Sequence, residues 1–157
     1  MTNMWSNIMG HEVGQMDYPG IYQVRMVDSK GKPVAIHRIG GVDEEGLIYV
    51  GFSNNVGERI KEFHSTLSLK GKHDGASTYF LMRQNLVSLG HDYASCKLQC
   101  TVTRLPGTSE TELRKQEAIM LANYFSKYSE LPPCNCNFPE KWGEFTRQLQ
   151  QFWGWST

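Results

Sequence analysis

Glu117 is the residue least explained by its neighbours in the sequence. It follows Leu113 by four positions and precedes Met120 and Leu121 by three and four. At about 100° per residue, that spacing sets a carboxylate inside the apolar stripe of a helix. An unpaired charge is costly to bury, so the group must be paired, protonated or bound to a metal. Arg114, three residues earlier, is the candidate for a salt bridge. Arg59 stands at the edge of another apolar stripe, between Val56 and Phe63, where an arginine ordinarily lays its stem on the apolar surface and keeps its charge in water. Tyr22 and Tyr49 fall in apolar strands, where tyrosine is usually a core or rim residue with its hydroxyl satisfied. Cys96, Cys100, Cys134 and Cys136 suggest a four-sulfur zinc site on paper. Cys96 and Cys100, however, share one face of a strand, unlike the usual paired knuckle, so small buried thiols are the better account.

The elements that must carry these residues can be read from periodicity. Ile21, Tyr22, Val24, Met26 and Val27 form a β-rich run that ends in the turn Asp28-Ser29-Lys30-Gly31. Pro33 to Ile39 reads as a second strand, and Leu47 to Phe52 as a third and strongly apolar one. Ser53-Asn54-Asn55 supplies N-cap chemistry for a helix whose face is Val56, Ile60, Phe63 and Leu67. A polar, basic loop with Lys70, Lys72 and His73 leads to a second helix, expected from Ala76 to about Leu89 and closed by Gly90. Cys96, Leu98, Cys100 and Val102 alternate as a half-buried strand. Thr108 or Ser109 can cap a long helix to about Tyr128, which Pro132-Pro133 terminates. A last helix after Pro139 carries Trp142, Phe145, Leu149 and Phe152 on one side. The first sixteen residues read as an N-terminal arm or lid docked through Trp5 and Ile8, and the terminal Trp153 and Trp155 are expected to pack back onto the domain, with a dimer contact as the alternative.

Composition narrows the classes. A chain of 157 residues fits one domain with a core of its own. Sixteen basic residues balance sixteen acidic ones, so any attraction to nucleic acid must come from local clusters. No basic n-region with an apolar run opens the sequence, and no stretch approaches membrane-spanning length. The expectation is a soluble, cytoplasmic protein without membrane contact.

Taken together, the motifs point further. Pro19-Gly20-Ile21-Tyr22 and Ile48-Tyr49-Val50-Gly51 resemble the paired triplets of the GIY-YIG nuclease superfamily. Phe52-Ser53-Asn54-Asn55-Val56-Gly57-Glu58-Arg59-Ile60 is similar to that family's turn into the helix bearing its catalytic arginine. His73, Leu86 and Gly90 with the strand from Cys96 to Leu105 are similar to its middle section. Glu117-Ala118-Ile119-Met120-Leu121 and Leu131-Pro132-Pro133-Cys134-Asn135 resemble its metal-binding glutamate and closing asparagine. The resemblance covers about Pro19 to Asn135.

The resemblance implies an α+β fold, a small and mainly antiparallel three-stranded sheet flanked by helices, within a single domain over residues 1–157. The core would span 19–135, with an arm over 1–16 and a C-terminal helix over 139–153. It also implies a metal-dependent endonuclease acting on DNA. Glu117 would bind magnesium (Mg2+), with manganese (Mn2+) as the alternative. Arg59 would hold the scissile phosphate. Tyr22 would orient or deprotonate the attacking water, and Tyr49 would fix phosphate or water. With an ordinary tyrosine pKa near 10, a basic Tyr22 needs Arg59 or the metal to lower it. Asn135 would orient backbone or close the site. Arg25, Lys61, Lys70, Lys72 and His73 are the expected nucleic-acid contacts, joined by Arg38 and Arg83.

Three departures from the family pattern stand out. The triplets lie further apart than in minimal members, which implies an added strand and loop between them. The position four after Arg59, often histidine in the family, is Phe63; His64 is rotated about 140° from Arg59 and is not expected to be catalytic. The interval from Glu117 to Asn135 is stretched. Competing functions are a non-cleaving module that grips nucleic acid or protein, and a ribonuclease or an antibacterial nuclease effector using the same site. Cutting both strands with one site per chain would favour a homodimer.

Overall fold

The computed structural model describes residues 4–8, 10, 13 and 15–154, so Trp155 lies outside the described residues. Along the chain run β1 (Ser6–Asn7), β2 (Gly20–Val27), β3 (Ile36–Arg38), β4 (Gly41–Asp43), β5 (Leu47–Ser53), α1 (Val56–Leu67), α2 (Asp74–Ser88), β6 (Lys97–Arg104), α3 (Glu110–Tyr128) and α4 (Trp142–Trp153). The fold is α+β. The main sheet has the order β1-β6-β2-β5 with every neighbouring pair antiparallel. Among the described residues, no helix is long and apolar enough to cross a membrane.

Alternation along β2 sorts its side chains between two cores. Tyr22, Val24 and Met26 face α1 and α2, joined by Ile48, Leu98 and Cys100 from the neighbouring strands and by Val56, Ile60 and Phe63 of α1. Ile21 faces the other way, with Leu47 and Val50, onto Leu113, Leu121 and Tyr124 of α3 and Phe145 of α4. The helices start where their side chains satisfy free backbone N–H groups. Asn55 accepts from the Glu58 amide at 3.0 Å and Ser109 from the Glu112 amide at 3.3 Å.

Three expectations are corrected. The sheet has four strands, not three, because the arm contributes β1, paired with β6 through Ser6–Cys100 and Asn7–Gln99. Burying Ile8 and pairing the exposed edge of β6 stabilise that placement better than a detached lid would. The second strand does not join the main sheet. After one bridge between Val27 and Pro33 the chain peels away, and β3 pairs with β4 as a separate ribbon. The ribbon is anchored on the C-terminal end of α3, where the Gly40 amide donates to the Tyr128 carbonyl at 2.8 Å and Arg38 reaches the Leu131 carbonyl at 2.6 Å. A Cβ on Gly40 would stand 2.7 Å from the Tyr128 backbone, so glycine permits this approach. Finally, α2 begins two residues earlier than expected, capped by His73.

A candidate active site around the outer edge of the sheet

The tyrosines of the two triplets are brought together by strand register. Tyr22 of β2 lies directly opposite Gly51 of β5, and Val24 opposite Tyr49. Side chains opposite one another share a face, so the Tyr22 ring crosses Gly51 and approaches Tyr49, with ring centroids 5.8 Å apart. A Cβ on Gly51 would sit 2.6 Å from the Tyr49 ring and 2.8 Å from the Tyr22 hydroxyl. One on Gly75 would sit 2.5 Å from the Tyr49 ring. Two glycines therefore open the space that Tyr49 occupies.

His73 completes this group. It was expected among the solvent-facing basic contacts, but it is fully buried, with its Nε2 2.8 Å from the Tyr22 hydroxyl. The cause is local: as N-cap of α2, its Nδ1 accepts the Ala76 amide at 3.4 Å. A neutral ring accepting at Nδ1 carries its proton on Nε2, so His73 donates to Tyr22. Burial, reinforced by Arg59, holds its pKa down at about 3, which keeps the ring neutral. Phe63 packs edge-on against His73 with centroids 4.7 Å apart.

Tyr22 is fully buried, and burial, followed by Tyr49, raises its pKa well above the ordinary value while Arg59 opposes. Tyr49 is pushed up to about 12, chiefly by burial. Both rest as neutral phenols that orient partners through hydrogen bonds. Of the two, it is Tyr49 that faces open space.

That space wraps around the outer edge of β5. One cleft of about 460 Å³ is lined by Tyr49, Phe52, Asn54, Arg59, Glu110 and Glu117, among others. A second, of about 250 Å³, shares Tyr49, Phe52 and Glu117 and adds Asp74, Arg114, Asn135 and Phe138. Tyr49 and Phe52 point to opposite faces of the strand, so Glu117, carried on α3, meets Tyr49 only around the strand's edge. Arg59 comes from the first turn of α1 and is ion-paired with Glu62.

Glu117 has no hydrogen bond or ion pair among the described residues. Arg114 does not serve it as a salt-bridge partner: its guanidinium reaches Glu110 and Glu140, both at 2.6 Å, and lies over the Phe52 ring. Burial, only partly offset by Arg114, raises the Glu117 pKa to about 7. An unpartnered, partly desolvated carboxylate facing a cleft is a ready ligand for a hard cation.

Asn135 closes the edge of β5 in place of another strand. Its side-chain oxygen accepts the Val50 amide at 2.9 Å, and its nitrogen donates to the Val50 carbonyl at 2.8 Å, next to the Cys134 amide on the Ile48 carbonyl at 2.8 Å. Asn135→Ala would orphan both buried Val50 groups. The expected cost is about 2 kcal/mol of stability in urea unfolding, and an unchanged midpoint would show that water replaces the amide.

The remaining arginines expected to touch nucleic acid are engaged inside the protein. Arg25, on the α3 face, bonds Gln99 at 2.8 Å, pairs with Glu45 at 3.5 Å and stacks on Trp5 at 4.1 Å. Arg38 pairs with Glu130 at 2.5 Å, and Arg83 donates to the Tyr93 and Ala94 carbonyls. Each guanidinium stitches chain segments together, which its fork of donors does well. Lys61 pairs with Glu58 at 2.7 Å. Lys70 and Lys72 are exposed without an ion pair among the described residues. His64 lines a different cavity with Leu67 and Tyr79. The cysteines are free thiols, and among the described residues no group of three or more His, Cys, Asp or Glu is gathered to hold a metal, so the four-sulfur zinc arrangement does not form.

Compared with known proteins, the chain matches no family model, no curated protein and no solved structure.

Proposed function

We propose that this chain is a metal-dependent endonuclease of the GIY-YIG type that hydrolyses phosphodiester bonds in DNA. The observation that carries this reading is the meeting of Tyr49, Arg59 and the unpartnered Glu117 on one cleft, backed by Tyr22 and His73. Tyrosine pair, arginine and carboxylate come from β2, β5, α1 and α3, and no packing need explains an unpaired glutamate among them.

In this reading Arg59 releases Glu62 and grips the scissile phosphate, stabilising the charge that develops on its oxygens. Tyr49 hydrogen-bonds the attacking water or a phosphate oxygen. Tyr22 holds Tyr49 in line, and His73 fixes Tyr22 by donating to its hydroxyl. The donor set suits magnesium: a lone hard carboxylate is enough for an ion that keeps several waters and takes substrate oxygens, with Asn135 and Asp74 beside it in the cleft. Bound at Glu117, such an ion would neutralise the phosphate and stabilise the leaving oxygen.

Supercoiled plasmid incubated with the purified chain and magnesium or manganese tests the proposal. Nicking or linearisation that disappears with chelator and in Arg59→Ala is the expected result. Intact plasmid under all conditions, with folded protein, would replace the reading with a non-cleaving module; cleavage of RNA alone would redirect it to a ribonuclease.

Lys70 and Lys72 are the cations free to meet phosphates near the α1–α2 turn. Replacing both with glutamine should weaken DNA binding and lower the slope of log affinity against log salt by about 2, read by titration at several salt concentrations. An unchanged slope would exclude them from the interface.

A further inference from the structure

A cavity of about 280 Å³ lies between the arm, the last turn of α1, the middle of α2 and the start of β6. It shares no residue with the two clefts that Tyr49 lines. Ile8, Leu67 and Leu98 give it an aliphatic lining, extended by the Tyr79 ring and the Cys96 thiol. Small-molecule pockets have this make-up, mostly apolar with a few placed polar groups. The first such group is the Tyr79 hydroxyl. Tyr79 is only 3% exposed, and its hydroxyl is buried with no hydrogen-bond partner among the described residues. Leaving such a group unpaired is costly, and phenylalanine would fill the same space without that cost. Besides Cys134, the groups that act on the hydroxyl are Arg83 and Cys96, both in the cavity wall.

The second feature is charge. Arg83 and Lys97 line the cavity, and no Asp or Glu does. Arg83 is held by backbone carbonyls alone, with Nε donating to Tyr93 at 3.1 Å and a terminal nitrogen to Ala94, so no carboxylate neutralises it. Lys97 has no ion pair among the described residues. At Cys96, Arg83 acts more strongly than Asp92 or Asp28. Asp28 is also engaged, accepting the Lys30 and Lys32 amides at 2.9 Å. An apolar space edged by uncompensated cations is complementary to an anion with an apolar body.

We propose that this cavity binds a small organic anion of the fatty-acid class, with its chain against Ile8, Leu67 and Leu98 and its carboxylate toward Arg83, Lys97 and the Tyr79 hydroxyl. The ligand supplies the partner that the buried hydroxyl lacks. The site is independent of the Tyr49 cleft and of any cleavage there.

Octanoate, octanol and octylammonium share one chain and differ in the head group, so calorimetric titration of the full chain with each is the test. Octanoate should bind about tenfold more tightly than octanol, the worth of a charge-assisted hydrogen bond, and octylammonium more weakly than either. Lys97→Glu, at an exposed position of β6, should abolish the preference for octanoate over octanol. Tyr79→Phe should weaken octanoate about tenfold. Its urea midpoint should stay at or above the parent's, since the hydroxyl has no partner to lose in the free protein. With the exposed Cys136 replaced by serine, bound octanoate should slow alkylation of Cys96, read by mass spectrometry. Equal affinity for octanoate and octanol, or binding of neither, would overturn the proposal. So would a Lys97→Glu variant that keeps the preference, a Tyr79→Phe variant that binds octanoate as the parent does or unfolds at a lower midpoint, or a Cys96 that bound octanoate leaves unprotected.

Discussion

Glu117→Gln should abolish cleavage and yet stabilise the protein above neutral pH. Both effects have one cause, a carboxylate held in a partly desolvated position without a partner. Glutamine keeps the shape but removes the charge that would hold the metal, so the rate of metal-dependent cleavage should fall by about 10³-fold or more. The effect on stability follows from linkage. Glu117 has a pKa of about 7 in the folded chain against an ordinary value of 4.5. The folded state therefore holds this proton more tightly than the unfolded state does. Stability declines as pH rises from about 4.5 through 7, and the full penalty is present above that range. At about 1.4 kcal/mol per unit the penalty reaches roughly 3 kcal/mol. Glutamine escapes it, so in chelator the variant should be more stable than the parent at about pH 8 by up to that amount, with little difference near the ordinary carboxylate pKa. Urea unfolding at both ends of the window reads this directly. A difference that is the same at both pH values would assign it to packing, and a variant that still cuts would move the metal off Glu117.

Gly51→Ala should be the most damaging change of a single methyl in the site. The added carbon would stand 2.6 Å from Tyr49 and 2.8 Å from the Tyr22 hydroxyl. The two rings cannot both stay, since His73 holds Tyr22 from behind at 2.8 Å. Overpacking of this kind costs about 1–3 kcal/mol of stability. Activity should fall further, by about 100-fold, because a displacement near 1 Å in a positioned group is enough for such a loss. Gly143→Ala is the matched control. It lies in α4 with no atom near its would-be Cβ, so it should gain up to about 1 kcal/mol through helix propensity and leave cleavage intact. Cleavage by Gly51→Ala at the parental rate would show that the tyrosine pair has no part in the reaction.

Much of this site is written in local pattern. The α1 stripe of Val56, Ile60 and Phe63 is wholly buried, and Asn55 caps the helix from the position its type suggests. Glu117 was conspicuous from spacing alone because a helix has a fixed period, and a charge out of phase with its face cannot be hidden. Gly51, two positions after Tyr49, is likewise a sequence signal as part of the second triplet, although its reason, the ring of Tyr22 lying across it, needs the β2–β5 register.

His73 shows where such reading fails. A basic residue between Lys72 and Asp74 looks like part of a solvated loop, and only the helix N-cap it forms turns the ring inward. Its bond to Tyr22, 51 residues away in sequence, had no local signature. Arg114 chose Glu110 and Glu140 over Glu117, because Glu140 arrives from a loop beyond α3. Arg25, Arg38 and Arg83 became internal struts for the same reason: their acceptors are backbone or side chains that only chain folding brings near.

Local pattern thus suffices to say which faces are apolar, where α1 and α3 begin, and which ionisable residue sits where burial makes it costly. These depend on periods of two and 3.6 residues, which any segment carries with it. The tertiary structure decided which partners the charges take, that the arm joins the sheet while β3 and β4 leave it, and that one cleft gathers Tyr49, Arg59 and Glu117. Those outcomes turn on distances between segments remote in sequence, since hydrogen bonds act over about 3 Å and charges over about 10 Å.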